Sequence, residues 1–238
     1  MRAQYAGEIS YLDAELRRVL EHPRLAAGAI AVTSDHGEGL GDHNIFWNHI
    51  GLYPDMLHVP LILALPDGPR GVRSERPTRQ WDLGHTLLLS AGLDATDFPG
   101  RNLLDDAPGD EPLFAISSWQ QQAAIRHREW LLMLTLEEFP RNRDESYGHF
   151  VRHAVELYNV AQDPRCATNL VEPELERARR MRASLIEWLG RTQTPTLVGS
   201  AQSGPSPELL AELGYASGST DAGSFDPNCR CDECARFD

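Results

Sequence analysis

Lysine is absent from the 238 residues, so every basic side chain is an arginine. Acidic residues outnumber basic ones, and the formal net charge is −13. Binding of nucleic acid requires a basic face that neutralises phosphates, and adsorption to an anionic membrane requires a similar face. The charge therefore argues against nucleic acid as a partner and disfavours an anionic membrane surface.

Long apolar runs are also missing, since no window approaches the roughly 20 apolar residues that a membrane span needs. The first residues have no basic segment followed by an apolar run, so they do not form a signal peptide, and the compartment stays open. Four cysteines are too few and too clustered for a disulfide framework. Apolar residues nevertheless make up 41% of the chain, which is enough for a folded core.

The first part of the chain, residues 1–111, alternates helical and strand patterns. Apolar spacing predicts an amphipathic helix over residues 4–20, and a second helix is predicted over 82–91, beginning near Asp82 and stopped by Gly92. Two short apolar runs, at 28–33 and 58–66, predict neighbouring buried strands. This alternation indicates an α/β fold in which helices cover the faces of a sheet.

The remainder of the chain has a different pattern. Residues 112–190 contain short apolar runs separated by polar turns, followed by a helix predicted from Pro173 to Gly190, which indicates an antiparallel subdomain with a closing helix. Residues 191–238 are expected to form a linker, a short helix and a mobile tail that contains cysteines.

The tail carries the sequence C-x-C-x-x-C, formed by Cys229, Cys231 and Cys234. Three thiolates could bind zinc if a fourth ligand completed the tetrahedron. A free, oxidisable tail is the alternative. The fourth ligand would come from one of three acidic neighbours: Asp226, Asp232 or Glu233.

A polar, glycine-rich loop begins with Ser34-Asp35-His36-Gly37-Glu38, directly after the first predicted strand. In open α/β sheets, ligands bind beyond the carboxyl ends of the strands. Asp35 offers a hard oxygen and His36 a borderline nitrogen, which suits calcium, magnesium, manganese or zinc. Two ligands cannot hold a catalytic metal, and the pair taken alone is more typical of a loop or capping role.

Further motifs follow this loop in a fixed order. They include His49-Ile50-Gly51-Leu52-Tyr53, then His58-Val59-Pro60-Leu61-Ile62, and later Glu156-Leu157-Tyr158-Asn159. In this arrangement the chain resembles the C-terminal half of the sulfatase family, within the alkaline-phosphatase-like superfamily. The resemblance implies the C-terminal part of an alkaline-phosphatase-like α/β sheet with helices on both faces, a small antiparallel β subdomain and a C-terminal helix.

By that resemblance, Asp35 and His36 are ligands of a divalent metal, with calcium expected. Relatives often carry Asn at the position of His36, and an imidazole there leaves manganese or zinc as alternatives. His49 stands where many relatives carry a lysine that contacts the sulfate, and a protonated imidazole could do the same work. Three further side chains are expected to orient the loop around the ligands: Glu38, Asp42 and His43.

The motifs that supply the nucleophile in sulfatases do not occur in these residues. There is no C-x-P-S-R or S-x-P-S-R sequence, whose Cys or Ser becomes formylglycine, and no early Asp-Asp pair of metal ligands. Cys166 lies in the turn DPRCATNL, which is the wrong context for that nucleophile. Formylglycine is therefore expected only in a preceding segment, and the chain is expected to be a fragment, a split-gene product or a remnant.

The implied function is metal-dependent hydrolysis of sulfate esters, with a small molecule or a glycan as substrate. This chain alone is expected to be inactive. One alternative is a phosphodiesterase or phosphonate monoester hydrolase of the same superfamily, because phosphoryl and sulfuryl centres present similar oxyanions. Another is a non-catalytic remnant, or a subunit that shares its site with a complementary N-terminal chain.

Overall fold

The computed structural model describes residues 2–25, 27–105, 110–117, 121–137, 150–192, 226 and 229–237. The linker and the short helix expected between residues 193 and 225 lie outside the described residues. Within the described ranges, no helix is both long enough and apolar enough to cross a membrane. The helices and strands are, in chain order, α1 (Arg2–Leu20), β1 (Ile30–Thr33), α2 (Pro54–Leu57), β2 (Leu61–Ala64), α3 (Gln80–Ser90), β3 (Leu113–Ile116), β4 (Gln122–His127), β5 (Trp130–Thr135), β6 (Val155–Asn159), α4 (Leu175–Thr192) and α5 (Asp232–Ala235).

Helix α1 forms where the apolar spacing predicts it, but the apolar stripe is exposed. Ile9 is 54%, Leu12 57% and Val19 56% exposed. The helix ends before Pro23, whose ring cannot continue an α-helix. The spacing thus predicted the helix correctly and did not reveal that this chain leaves the stripe uncovered.

Strands β1 and β2 form an antiparallel two-stranded sheet, in register from Ile30 opposite Ala64 to Thr33 opposite Leu61. The prediction of neighbouring strands is confirmed, but the prediction that they are buried is wrong. Ile62 in β2 is 64% exposed, and residues of β1 alternate between half-buried and exposed. An apolar run cannot distinguish a strand covered on both faces from one covered on a single face.

Helix α3 begins two residues before the predicted start because Asp82 occupies its third position. The Asp82 carboxylate accepts a hydrogen bond from the backbone N–H of Arg79 at 2.9 Å, which is the reciprocal half of a capping box. Gly92, with φ of +72°, follows the helix as predicted, in a conformation that glycine adopts without steric cost.

Strands β3 to β6 form an antiparallel sheet in sequential order, which confirms the predicted antiparallel strands. Helix α4 packs on this sheet against β4 and β5. It begins at Leu175, two residues after Pro173, and continues beyond Gly190 to Thr192.

Both faces of the four-stranded sheet are buried, and alternate residues of each strand belong to different cores. Leu132 and Leu134 face a core that they share with Leu185 of α4. Leu131 and Met133 face the other core, which contains side chains from the segment 45–56. The sheet therefore supports the loop that connects β1 to α2. The side chains of this loop in the second core are Ile45, Ile50, Leu52, Tyr53 and Met56.

Candidate functional site

The loop after β1 is held close to α2 by its backbone, at a glycine that leaves no room for a side chain. A Cβ atom on Gly37 would lie 1.7 Å from the carbonyl oxygen of Asp55, so only glycine fits this approach. Three backbone hydrogen bonds of 2.9 Å fix the path of the loop: Gly37 N–H to Met56 O, Gly39 N–H to Asn48 O and Gly41 N–H to Ile45 O.

Asp35 lies immediately beyond the end of β1 with its carboxylate exposed. One carboxylate oxygen accepts the backbone N–H of His36 at 3.0 Å, and the Ser34 hydroxyl lies 3.5 Å from the same oxygen. Burial would raise the pKa of Asp35, but the backbone N–H groups, the His36 ring and the Ser34 hydroxyl outweigh it and hold the pKa below its usual value. The carboxylate is therefore ionised at neutral pH, which is the form that binds a cation.

The ring of His36 is oriented by the backbone of the next residue. Nδ1 lies 2.8 Å from the carbonyl oxygen of Gly37, and because a carbonyl only accepts, Nδ1 carries the proton of the neutral ring. That tautomer leaves the lone pair of Nε2 available, and Nε2 lies 3.7 Å from Oδ2 of Asp35. Two ligand atoms about 2.2 Å from one metal are separated by roughly 3 to 3.6 Å, so this pair is close to chelating geometry.

His49 lies against the same pair. Its ring stacks on that of His36, with centroids 4.1 Å apart and planes 20° apart. The structure thus brings together Asp35, His36 and His49, three side chains that the sequence analysis had selected. All three are exposed, so a ligand can reach them from solvent.

Gln80, in the first turn of α3, is a site residue that the sequence analysis missed. Its side-chain amide donates to the carbonyl oxygen of Ser34 at 2.6 Å and lies 3.4 Å from that of Asp35. It therefore ties the start of the loop to α3. Nothing in the sequence near Gln80 indicates this contact, because 45 residues separate it from Asp35.

The three side chains expected to orient the loop have different partners. Glu38 accepts the backbone N–H of Gly39 at 3.1 Å, within the loop itself. Asp42 instead pairs with Arg2 at 3.3 Å and with Arg165 at 3.9 Å. His43 stacks on Tyr53 with centroids 3.6 Å apart and donates to the carbonyl oxygen of Arg165 at 2.8 Å.

Tyr53, Glu156 and Tyr158 join the loop to the four-stranded sheet. Both phenol groups donate to the same oxygen of Glu156, at 2.9 Å from Tyr53 and 2.5 Å from Tyr158. Burial, followed by the charge of Glu156, raises the pKa of both tyrosines well above the usual value, so they stay protonated donors. The motif that contains Glu156 was noted in the sequence, but its link to Tyr53 spans 103 residues.

Cys166 is packed in the core beneath the loop, with 1% of its surface exposed. Burial raises the pKa of its thiol to about 12, with the charges of Asp163 and Glu156 adding to the effect. The thiol is therefore protonated at neutral pH and unsuited to nucleophilic attack. This agrees with its exclusion as a nucleophile on sequence context.

Residues 1–93 match the family model described as Sulfatase. A delta 4,5-hexuronate-2-O-sulfatase from Bacteroides thetaiotaomicron is 25% identical over 173 residues, which cover 68% of this chain. The chain is thus similar to the sulfatase family, and the family model covers its first 93 residues. The chain spans 34% of the length of that relative.

Two solved structures share the fold. A phosphonate monoester hydrolase from Silicibacter pomeroyi matches 83% of the chain with a TM-score of 0.61 and 25% identity. A protein solved in complex with its substrate D-glucosamine-2-N,6-O-disulfate matches 78% with a TM-score of 0.59 and 22% identity. The chain covers 42% of the first structure and 38% of the second. These matches agree with the α/β fold expected from the sequence.

Proposed function

We propose that this sulfatase-family chain supplies part of the metal and substrate site of an enzyme that hydrolyses sulfate esters. The observation that carries the proposal is the convergence of Asp35, His36 and the His49 ring at the carboxyl end of β1. Asp35 offers an oxygen ligand and His36 a nitrogen ligand for a metal, and protonated His49 offers a positive charge beside them. This combination suits the binding of an oxyanion.

In this proposal Asp35 Oδ2 and His36 Nε2 hold a divalent metal. When bound, such an ion neutralises the oxygens of the sulfate and polarises the sulfur centre. His49 contacts the transferring group and, when protonated, stabilises charge on it and on the leaving oxygen. Gln80 and Glu38 keep the loop backbone in place, so that both ligands are oriented before the substrate arrives.

Calcium is the proposed ion, with manganese and zinc as alternatives. The carboxylate of Asp35 suits all three, whereas the imidazole of His36 favours manganese or zinc over calcium. Two side chains do not complete a coordination sphere, so further ligands must come from elsewhere in the complete enzyme or from substrate and water.

Binding of metal tests the proposal. Calcium is titrated calorimetrically and manganese by the loss of its free-ion paramagnetic signal, and both ions prefer oxygen ligands over thiolates. Affinity should fall at least about 10-fold in Asp35→Asn and in His36→Ala, since loss of a hydrogen-bond partner of a metal ligand already costs about 10-fold or more. His58→Ala, which removes an exposed histidine before β2, is the matched control and should leave affinity unchanged. Equal affinities in all four proteins would contradict the proposed ligands.

The role of His49 is tested by measuring sulfate binding rather than metal binding. Sulfate binding in the presence of saturating metal should weaken in His49→Ala, since this variant removes the side chain that is proposed to contact the anion. Metal affinity of His49→Ala should stay near that of the unchanged chain. Sulfate binding that is unchanged in His49→Ala would remove this residue from the site.

The chain by itself is expected not to turn over 4-nitrophenyl sulfate, because its 238 residues contain no formylglycine motif. Turnover by the purified chain that His36→Ala abolishes would contradict this expectation. A non-catalytic remnant, or a subunit that completes a site with a separate chain, remains the alternative in which these residues bind ligand without reaction.

Phosphonate monoester hydrolysis is the second candidate reaction. It is favoured by the structural match to the phosphonate monoester hydrolase, which covers 83% of this chain. Competition between phenylphosphonate and sulfate for the metal-loaded chain distinguishes the two, with tighter binding of sulfate expected. The sulfated-sugar substrates named for two relatives suggest a sulfated saccharide as the natural ester.

A further inference from the structure

Three cysteines and a histidine converge at the C-terminal end of the described chain, away from the sulfatase-type site. The ligand atoms of His153, Cys229, Cys231 and Cys234 all lie within 4.8 Å of one another. The sequence analysis had sought a fourth ligand among the acidic neighbours of the cysteines. The structure instead brings a histidine that precedes Cys229 by 76 residues.

The distances within this group match those between ligands of one tetrahedral ion. His153 Nδ1 lies 3.2 Å from Cys231 Sγ and 3.4 Å from Cys229 Sγ. Zinc–sulfur bonds of about 2.3 Å and zinc–nitrogen bonds of about 2.0 Å place tetrahedral ligands roughly 3.5 to 3.8 Å apart. The two pairs that include His153 would move apart by a few tenths of an ångström, and the longest separation in the group, within 4.8 Å, would shorten by up to about 1 Å.

His153 is held by the sheet rather than by the tail. Its backbone N–H donates to the carbonyl oxygen of Thr135 in β5 at 2.8 Å, just before β6 begins. The residue has φ of +65°, a left-handed conformation that histidine adopts more readily than most residues. The imidazole therefore projects from a fixed point on the four-stranded sheet and is 4% exposed.

The cysteines are presented by a compact turn and helix. Cys231 precedes α5, and its carbonyl oxygen accepts the N–H of Ala235 at 2.9 Å. Cys234 is 2% exposed and belongs to the core that α4 shares with the sheet. Cys234 thus faces the core and Cys229 is partly buried, whereas Cys231 is exposed, and the thiols of Cys229 and Cys231 lie beside His153.

Arg182 of α4 supplies the charge that such a group needs. Three thiolates, a neutral imidazole and a Zn²⁺ ion carry a net charge of −1. The Arg182 guanidinium donates to Cys234 Sγ at 3.3 Å and lies 5.0 Å from the centre of the Phe237 ring. Hydrogen bonds of this kind orient thiolate ligands and offset their charge.

We propose that His153, Cys229, Cys231 and Cys234 form a structural zinc site that fastens the C-terminal segment to the antiparallel sheet. Four protein ligands close the coordination sphere, which is typical of structural rather than catalytic zinc. The three thiolates favour zinc over calcium or magnesium. A disulfide would use only two of the sulfurs and would not account for the histidine beside them.

The first test is the zinc content of the full chain, purified with a thiol reductant and without chelator, by plasma mass spectrometry. We expect one zinc per chain. His153→Ala and Cys231→Ser should each lower zinc affinity by more than about 100-fold, since even loss of an outer hydrogen-bond partner costs roughly 10- to 100-fold. Cys166→Ser, His127→Ala and the double variant Asp35→Asn/His36→Ala should keep the zinc, which separates this site from the sulfatase-type site.

The second test needs no variant and so does not depend on whether the variants fold. Exchange of zinc for cobalt in the unchanged chain should produce the thiolate-to-cobalt charge-transfer band and the intense visible bands of a tetrahedral site. Removal of the metal should also increase protease cleavage near residues 229–237. An octahedral cobalt spectrum, a chain that stays free of zinc when zinc is supplied, or a disulfide between two of these cysteines in the reduced preparation would overturn the proposal.

Discussion

The four-stranded sheet and the two-stranded sheet are built from similarly apolar strands and differ in what covers them. Strands β4, β5 and β6 alternate between two cores, one shared with α4 and the other with the loop at 45–56. Strands β1 and β2 expose side chains such as Ile62, and the neighbouring α1 has no buried residue.

This difference separates two sources of stability within one chain. Around the four-stranded sheet, apolar burial is the main stabilising term. Around β1 and β2, close backbone approaches and buried polar contacts hold the loop and α3, as at Gly37 and Asp82. The candidate site belongs to the region around β1 and β2, and the four-stranded sheet supports that region from below.

The largest effect should follow from Leu185→Ala in α4. Leu185 is fully buried in the core against the sheet, and its truncation should lower the free energy of unfolding by about 2–5 kcal/mol. Leu89→Ala in α3 is the matched control, because Leu89 is also helical but 43% exposed and should cost less than about 1 kcal/mol. Urea unfolding followed by circular dichroism measures both. Equal losses would show that the two regions are stabilised alike.

Substitution of glycine by alanine should change the free energy of unfolding in opposite directions in the two regions. Gly37→Ala forces a Cβ into the Asp55 carbonyl oxygen and should cost about 2–3 kcal/mol, with weaker metal binding. Gly190→Ala in α4 meets no atom within 4 Å and should stabilise the chain by about 0.5–1 kcal/mol. Unfolding curves and metal titration together check the pair, and a neutral Gly37→Ala would refute the close approach.

Asp82→Asn tests the buried polar contacts of α3. Burial raises the pKa of Asp82, but hydrogen bonds from Arg79 and the N–H of Arg101 outweigh it and hold the pKa below the usual 3.8. The stability that ionised Asp82 contributes is therefore present above its usual pKa and is lost as the pH falls through the lowered pKa of the folded state. The substitution should cost about 2 kcal/mol at neutral pH and less at acid pH, as measured by urea unfolding across pH. A cost that does not change with pH would contradict the ionised carboxylate.

The smallest loss of stability is expected at the hydrogen bond between Tyr53 and Glu156, which joins the loop to the four-stranded sheet. Tyr53→Phe removes one hydrogen bond to Glu156 and should cost about 1 kcal/mol. In a double-mutant cycle with Glu156→Gln, the two changes should be non-additive, since the groups are in contact. Tyr11→Phe on the exposed α1 is the control and should be neutral. Additive costs in the cycle would show that the bond does not couple loop and sheet.

Much of the fold was predictable because local patterns specify local structure. Helical spacing predicted α1 and α3, Gly92 marked the end of α3, and apolar runs between polar turns predicted the four strands of the larger sheet. The loop with Asp35 and His36 was predictable for the same reason, since a strand that ends in polar residues places them at one edge of a sheet.

The remaining features depend on contacts between residues far apart in the chain. Burial of β1 and β2 was predicted wrongly because periodicity reports which side chains share a face, and not what lies against that face. The hydrogen bond from Gln80 to the loop and the one between Tyr53 and Glu156 have no local signal in the sequence.

The sequence alone determined the order of helices and strands, the glycine-rich loop with its candidate ligands, and the family that the chain resembles. Only the tertiary structure decided that the rings of His36 and His49 stack, and that His153 rather than an acidic neighbour meets the three cysteines. The physical reason is that side-chain chemistry and spacing act within a few residues, whereas a site is assembled by packing across the whole fold.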